Sequence, residues 1–105
     1  MISGTVDKLP VESFGLKVPH IGWNDVKTVK ESPLFTGIEQ GSEFYFVHSY
    51  EFRCADQSDI VATADYGVTF TAAIQRENIV ATQFHPEKSQ DAGLQFLENF
   101  IHWSP

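Results

Sequence analysis

The sequence predicts an α/β protein in which a mixed or antiparallel sheet precedes one C-terminal amphipathic helix. Short runs rich in aromatic and β-branched residues, separated by glycine and proline, occupy residues 4–84, and such runs are typical of strands. From Ser89 onward, apolar residues recur at helical spacing. A chain of 105 residues is expected to form a single domain.

The predicted strands are punctuated by turn-forming residues. Extended structure is expected at residues 4–8, 17–30, 43–52, 60–66, 68–75 and 79–84. Residues 32–37 have the composition of a turn. The last two strands are predicted to pair as a hairpin around residues 76–78. Pro86 ends the final strand, because proline offers no N–H to a neighbouring strand.

Residues 43–52 form the clearest predicted strand. Alternation places one set of side chains on a common face: Phe44, Phe46, His48, Tyr50 and Phe52. Tyr45, Val47 and Ser49 are predicted to share the other face. Because both faces are largely apolar, both are expected to be covered.

The C-terminal helix is expected to begin after Ser89, a candidate N-cap, with Asp91 near the positive end of the helix dipole. An apolar stripe is predicted along this helix, formed by Leu94, Leu97, Phe100 and Ile101 and widened by Phe96 and Trp103.

Composition narrows the classes of partner. The chain is 42% hydrophobic, with 9 Phe, 3 Tyr and 2 Trp, so a packed core is expected. A net charge of -7 argues against nucleic acid and anionic membranes as partners. The sequence shows no apolar run of transmembrane length and no secretory leader at its start. With Cys54 as the one cysteine, a disulfide framework is excluded, and a cytoplasmic location is expected.

The sequence around His85 is the most informative for chemistry. His85 ends an apolar strand, and Pro86 biases it toward an extended backbone at the lip of the sheet, where α/β proteins bind ligands. Glu87 is placed to accept the Nδ1–H of His85, which would orient the imidazole as a general base. The alternative is a strand-end histidine beside a surface acid, since short motifs are weak evidence.

No metal site or cofactor is predicted. The four histidines, His20, His48, His85 and His102, show no helical i, i+4 pair and no cysteine-rich spacing.

Three motifs occur in order: residues 18–24 (VPHIGWN), 46–50 (FVHSY) and 83–89 (QFHPEKS). Together they resemble class I glutamine amidotransferases, specifically the glutaminase subunit of imidazole glycerol phosphate synthase in histidine biosynthesis. The resemblance extends over nearly the whole chain. It implies the C-terminal half of a flavodoxin-like glutaminase domain, so that residues 1–105 would form one truncated domain.

The resemblance also implies roles for individual residues. His85 and Glu87 match the base and the orienting acid of a Cys-His-Glu triad. Ser49 and Tyr50 match positions placed against bound glutamine. Trp23 and Lys88 match the contact with the barrel-shaped synthase subunit that receives ammonia. The alternatives are sheet packing for Ser49 and Tyr50, a core position for Trp23 and a solvated charge for Lys88.

The expected nucleophile is absent from the sequence. The family's cysteine lies in a Gly-x-Cys-x-Gly turn that precedes the histidine, and neither this turn nor the Gly-rich oxyanion loop occurs here. Cys54 has no flanking glycine and is interpreted as a structural thiol. The chain alone is therefore expected not to hydrolyse glutamine.

Three functional interpretations stay open. The chain is a glutaminase half that requires a complementing N-terminal half, a non-catalytic protein that binds a glutamine-like ligand or the synthase barrel, or a remnant of a truncated or mobile gene. An exposed sheet edge or apolar face also predicts self-association, with a homodimer as the expected form.

Overall fold

The computed structural model describes residues 4–11, 15–16 and 19–103. Within these ranges the strands are β1 (Gly4–Lys8), β2 (His20–Asp25), β3 (Lys27–Thr28), β4 (Glu43–His48), β5 (Tyr50–Cys54), β6 (Ile60–Tyr66), β7 (Val68–Arg76) and β8 (Ile79–Thr82). Helix α1 spans Gln90–His102. Short 3-10 turns occupy Pro33–Phe35, Gln57–Asp59 and Pro86–Lys88.

The described strands pair in an antiparallel manner throughout. They form three sheets, with strand orders β1-β5, β2-β4 and β3-β6-β7-β8. The predicted α/β class, with antiparallel sheet and a C-terminal helix, is confirmed. The predicted extended segment 17–30 contains β2 and β3, while its first two residues lie outside the described ranges.

The prediction of one continuous strand over residues 43–52 is wrong. The strand breaks at Ser49, where β4 ends and β5 begins. The carbonyl of Ser49 accepts a hydrogen bond from the Leu9 N–H at 2.9 Å, so the chain turns from its pairing with β2 to its pairing with β1. In β5 the predicted apolar face is not the buried one, because Glu51 is buried whereas Tyr50 is exposed and Phe52 is only partly buried.

Only one face of β4 is fully covered. Phe44 and Phe46 are completely buried, whereas Val47 on the opposite face is 40% exposed. Phe35 contacts three neighbouring rings in edge-on or near-edge-on geometry, with centroid separations of 6.3 Å to Phe44, 6.5 Å to Phe84 and 5.2 Å to Phe96. These aromatic contacts join the sheets to helix α1.

Helix α1 presents a different face to the core than its apolar stripe predicted. Gly93 and Phe96 are buried, while the stripe residues Leu94, Phe100 and Ile101 are exposed. The helix orientation is fixed partly by a polar contact, because the Asn99 side-chain amide donates to the carbonyls of Leu34 and Thr36 at 2.9 and 2.8 Å. Most of the predicted stripe therefore faces away from the described core.

The predicted hairpin is confirmed as β7 paired with β8, and Glu77 adopts a left-handed φ of 54° at the bend. Its second strand is shorter than predicted and ends at Thr82. Beyond that point the chain pairs with β4, through a bridge between Phe84 and Phe46.

Gly93 allows helix α1 to approach the Pro86–Lys88 turn. A Cβ at this position would lie 1.9 Å from the Pro86 carbonyl oxygen and 2.8 Å from the Ser89 Cβ. A glycine-to-alanine change inside a helix normally stabilises by roughly 0.5–1 kcal/mol. The steric conflict with backbone atoms outweighs that gain, because overpacking typically costs about 1–3 kcal/mol.

We predict that Gly93→Ala lowers the free energy of unfolding by about 1–2 kcal/mol, the overpacking cost less the gain in helix propensity. Denaturant unfolding followed by circular dichroism measures the change. Leu94→Ala is the matched control, because Leu94 is 65% exposed on the same helix. An unfolding free energy for Gly93→Ala equal to or above that of the original chain would contradict the prediction.

Candidate functional site

The backbone of His85 is fixed by two neighbouring strands. The Gln83 N–H donates to the Ala72 carbonyl at 2.8 Å and continues the contact with β7. Two residues later, the His85 N–H donates to the Tyr45 carbonyl at 2.9 Å. The segment therefore crosses from β7 to β4, and His85 lies at the point where the strand ends and the Pro86–Lys88 turn begins.

The side chains of His85 and Glu87 meet as the motif predicted. His85 Nδ1 lies 3.2 Å from Glu87 Oε2. An ionised carboxylate only accepts hydrogen bonds, so Nδ1 carries the proton and Nε2 of the neutral ring has a free lone pair. The pKa of the Glu87 carboxyl lies below its ordinary value, because the carboxylate accepts from its own backbone N–H and from His85.

Both side chains are accessible, with 39% of the His85 side chain and 59% of the Glu87 side chain exposed. The arrangement provides an oriented imidazole at the surface, able to accept a proton at Nε2 from a group brought beside it.

Ser89 holds the turn in place in a way that the sequence did not indicate. Its hydroxyl donates to the His85 carbonyl at 2.6 Å and accepts from the Tyr45 N–H at 2.9 Å. Ser89 is only 1% exposed. The residue does precede helix α1, but its side chain makes no N-cap hydrogen bond, so that part of the N-cap prediction is wrong.

Trp23 lies at the same edge of the structure as the His85 turn. It is directly opposite Tyr45 in the β2–β4 pair, and the two rings meet edge to face at 5.7 Å. Trp23 is 44% exposed, which excludes the core alternative. An open groove of about 560 Å³ separates it from the start of helix α1 and is lined by Trp23, Ser42, Glu43, Ser89, Gln90, Asp91 and Ala92. Lys88 is exposed beside this edge.

Ser49 and Tyr50 lie at the break between β4 and β5. Tyr50 is 55% exposed, and Ser49 is half-buried. In the part of the chain that the structure describes, no hydrogen bond joins either side chain to His85 or Glu87. In the described residues, hydrogen bonding therefore does not link these two pairs of predicted site residues.

Sequence reasoning missed a pair of hydrogen-bonded histidines next to Ser49. His20 Nδ1 lies 3.0 Å from His48 Nε2, and His48 Nδ1 lies 3.0 Å from the Tyr50 carbonyl. The pKa of His20 is lowered to about 4, first by burial and then by the neighbouring His48. The sequence did place His20 and His48 in two motifs, each on a predicted strand. Only the register of β2 and β4 shows that the two histidines lie opposite each other.

Cys54 ends β5 opposite Gly4 and is 7% exposed, which agrees with a structural thiol. Among the described residues, no group of three or more His, Cys, Asp or Glu side chains could hold a metal ion. The same residues include no helix that is long and apolar enough to cross a membrane.

The fold and the His85–Glu87 contact define an α/β protein with a histidine–carboxylate pair at a strand end. The model of the class I glutamine amidotransferase family matches residues 5–103. The chain therefore belongs to this family.

Comparison with curated relatives shows which members of the family the chain is similar to. The chain is 50% identical over 101 residues to imidazole glycerol phosphate synthase subunit HisH of Pelagibacter ubique, covering 96% of this chain and 49% of that relative. It is 50% identical over 105 residues to subunit HisH of Rhodospirillum rubrum, covering 99% of this chain and 49% of that relative. The chain thus spans about half the length of the curated relatives it matches.

A solved structure shares the fold. The crystal structure of a proposed GMP synthase subunit from Thermoplasma acidophilum superposes with a TM-score of 0.72 at 23% identity. The match covers 95% of this chain and 48% of the other. At this level of identity the likeness supports the fold alone.

We predict that Ser89→Ala destabilises the chain by about 1–3 kcal/mol, because it leaves the Tyr45 N–H and the His85 carbonyl without their buried partner. Ser42→Ala is the matched control, since the Ser42 hydroxyl donates to the exposed Glu39 carbonyl and water replaces that contact. Denaturant unfolding compares the two variants. Equal losses of stability would contradict a specific role for Ser89.

Proposed function

We propose that this chain supplies the histidine and glutamate of a glutaminase site that serves imidazole glycerol phosphate synthesis. The observation that carries the proposal is the 3.2 Å contact between His85 Nδ1 and Glu87 Oε2 on a turn anchored to β4. The names of the relatives from Pelagibacter ubique and Rhodospirillum rubrum support the choice of synthase.

In the proposed reaction, His85 Nε2 accepts the proton of a cysteine thiol. The thiolate attacks the side-chain amide carbon of glutamine, the imidazolium protonates the amide nitrogen, and the C–N bond breaks to release ammonia. Water then hydrolyses the thioester to glutamate and restores the thiol. Glu87 keeps the ring in the Nδ1–H tautomer and stabilises the imidazolium by its negative charge.

The nucleophile in this proposal comes from outside residues 1–105. Cys54 is buried at the end of β5, and among the described residues no hydrogen bond joins its thiol to His85. We propose that residues 1–105 correspond to the C-terminal half of the family domain, and that an N-terminal half provides the cysteine turn and the oxyanion donors. The product would be released in the cytoplasm.

The partner proposed for this site is the barrel-shaped synthase subunit. Trp23 and Lys88 lie beside the His85 turn and are both exposed, which supports a docking role at the edge from which ammonia would leave. Ser49 and Tyr50 are proposed to bind glutamine at the break between β4 and β5.

We predict that the purified chain has no glutaminase activity and gains it when mixed with a family N-terminal half that carries the cysteine turn. Glutamate release measures turnover. His85→Ala should reduce kcat to near background, and Glu87→Gln should reduce it by about a hundredfold or more through loss of the correct tautomer.

Cys54→Ala is the matched control and should leave the activity of the mixture unchanged, because the Cys54 thiol is buried away from His85. Turnover by the chain alone would contradict the proposal. An active mixture that is insensitive to His85→Ala would contradict it as well.

The second proposed function is a non-catalytic, self-associating protein, favoured by two exposed apolar surfaces. The helix surface consists of Leu94, Phe100 and Ile101, exposed by 65%, 46% and 76%. The sheet surface consists of Ile21, Trp23 and Val47, exposed by 59%, 44% and 40%. Such surfaces favour association, and a homodimer is the simplest closed form.

We predict that the chain alone is dimeric at high micromolar concentration. Light scattering coupled to size exclusion measures the mass. Ile101→Glu on the helix surface and Ile21→Glu on the sheet surface form a matched pair, and the variant that shifts the mass to a monomer identifies the surface used. A monomeric original chain at this concentration would contradict the prediction.

A further inference from the structure

The carbonyl of Tyr50 points away from the β1–β5 ladder. The Leu9 N–H donates to the Ser49 carbonyl at 2.9 Å, so Leu9 and Ser49 form a hydrogen-bonded pair. Hydrogen-bonded and non-hydrogen-bonded pairs alternate along antiparallel strands. Tyr50, which follows in register opposite Lys8, therefore turns both its N–H and its C=O to the other edge of β5. In the described chain no strand pairs with that edge.

His48 provides the partner that the ladder does not. Its Nδ1 lies 3.0 Å from the Tyr50 carbonyl oxygen. A carbonyl oxygen only accepts, so His48 carries its proton on Nδ1. In a neutral His48 ring, Nε2 is then an acceptor, and the donor 3.0 Å away is His20 Nδ1–H. The hydrogen bonds run in one direction, from His20 through His48 to Tyr50.

His20, the first donor in this series of hydrogen bonds, is held by burial and ring stacking. It is 3% exposed and stacks on Tyr66 with ring centroids 4.0 Å apart and an interplanar angle of 17°. It also stacks with Phe46, with ring centroids 5.2 Å apart and the same interplanar angle. Burial lowers the pKa of His20 to about 4, so the ring is neutral near pH 7 and has a single N–H to donate.

We propose that His48 is a positioning residue that sets the direction of the Tyr50 backbone, and that the buried His20 holds His48 in place. Within a strand, the N–H and C=O of one residue point to the same edge. By holding the carbonyl, His48 therefore also orients the Tyr50 N–H and the adjoining Ser49 for an amino-acid ligand. This inference rests on the proposed glutaminase function, which places glutamine at Ser49 and Tyr50.

Two substitutions separate the two contacts of His48. In His48→Asn, the side-chain amide nitrogen occupies about the position of Nδ1 and keeps the donor to Tyr50. In His48→Gln, the longer amide reaches toward His20 and loses the geometry of the Tyr50 contact. Both variants remove the imidazole, so a purely structural need for the ring affects them alike.

The glutaminase mixed from this chain and a family N-terminal half gives the kinetic test. We expect His48→Gln to raise KM for glutamine about tenfold with kcat within about twofold, because only substrate positioning is lost. His48→Asn should keep KM within about twofold of the original. Equal changes in KM for the two variants, or no change in either, would overturn the role of His48.

Histidine ¹⁵N spectra of the isolated chain test the same inference without turnover. We expect both His48 and His20 to be protonated at Nδ1, with His48→Gln and a His20 variant identifying their signals. A His48 ring protonated at Nε2 would overturn the inference. If the mixture shows no glutaminase activity while the spectra show the Nδ1–H forms, the proposed function fails and the hydrogen-bonded arrangement stands.

Discussion

The crossing of residues 83–89 from β7 to β4 is the constraint on which the candidate site depends. Backbone hydrogen bonds from Gln83 to Ala72 and from His85 to Tyr45 fix the two ends of this crossing. The Ser89 hydroxyl then joins the His85 carbonyl to the Tyr45 N–H from the far side of the turn. These contacts fix the backbone position of His85, and the contact with Glu87 then orients the imidazole ring.

The two histidine contacts in the structure differ in environment, and this difference separates their chemistry. His85 contacts the Glu87 carboxylate, and 39% of its side chain is exposed, so a group outside the chain can reach the ring. His20 is surrounded by aromatic rings and contacts another histidine, so burial and the neighbouring His48 both lower its pKa. The environment of His85 suits proton transfer, and the environment of His20 suits a fixed hydrogen-bond donor.

The exposed apolar surfaces lie on elements that also hold the candidate site. The sheet surface includes Val47 of β4, the strand to which the His85 N–H donates, and Trp23 of β2, whose ring contacts Tyr45 of β4. The helix surface follows directly from the way α1 is held, since Asn99 and Gly93 turn Phe96 inward and leave Leu94 and Ile101 outside. A partner on either surface would therefore contact elements that already position the turn at residues 86–88.

Much of the local structure was predictable from the sequence. Two strand-like segments on either side of a bend at residues 76–78 predicted the β7–β8 hairpin. The proline after His85 predicted an extended histidine at a strand end, with Glu87 in reach. These features depend on residues within a few positions of one another, where backbone preferences and side-chain lengths decide the outcome. The strand break at Ser49 was missed because alternation continues through it; the hydrogen bond from Leu9 that accompanies it comes from a distant segment.

The sequence by itself determined most of the strand segments, the C-terminal helix, the His85–Glu87 contact and the family. Only the tertiary structure decided the contacts between distant residues, such as Ser89 with Tyr45, separated by 44 positions, and His20 with His48, separated by 28. It also decided which side of α1 is buried. The physical reason is that strand register and helix orientation depend on the packing of the whole core, which no local pattern of residues specifies.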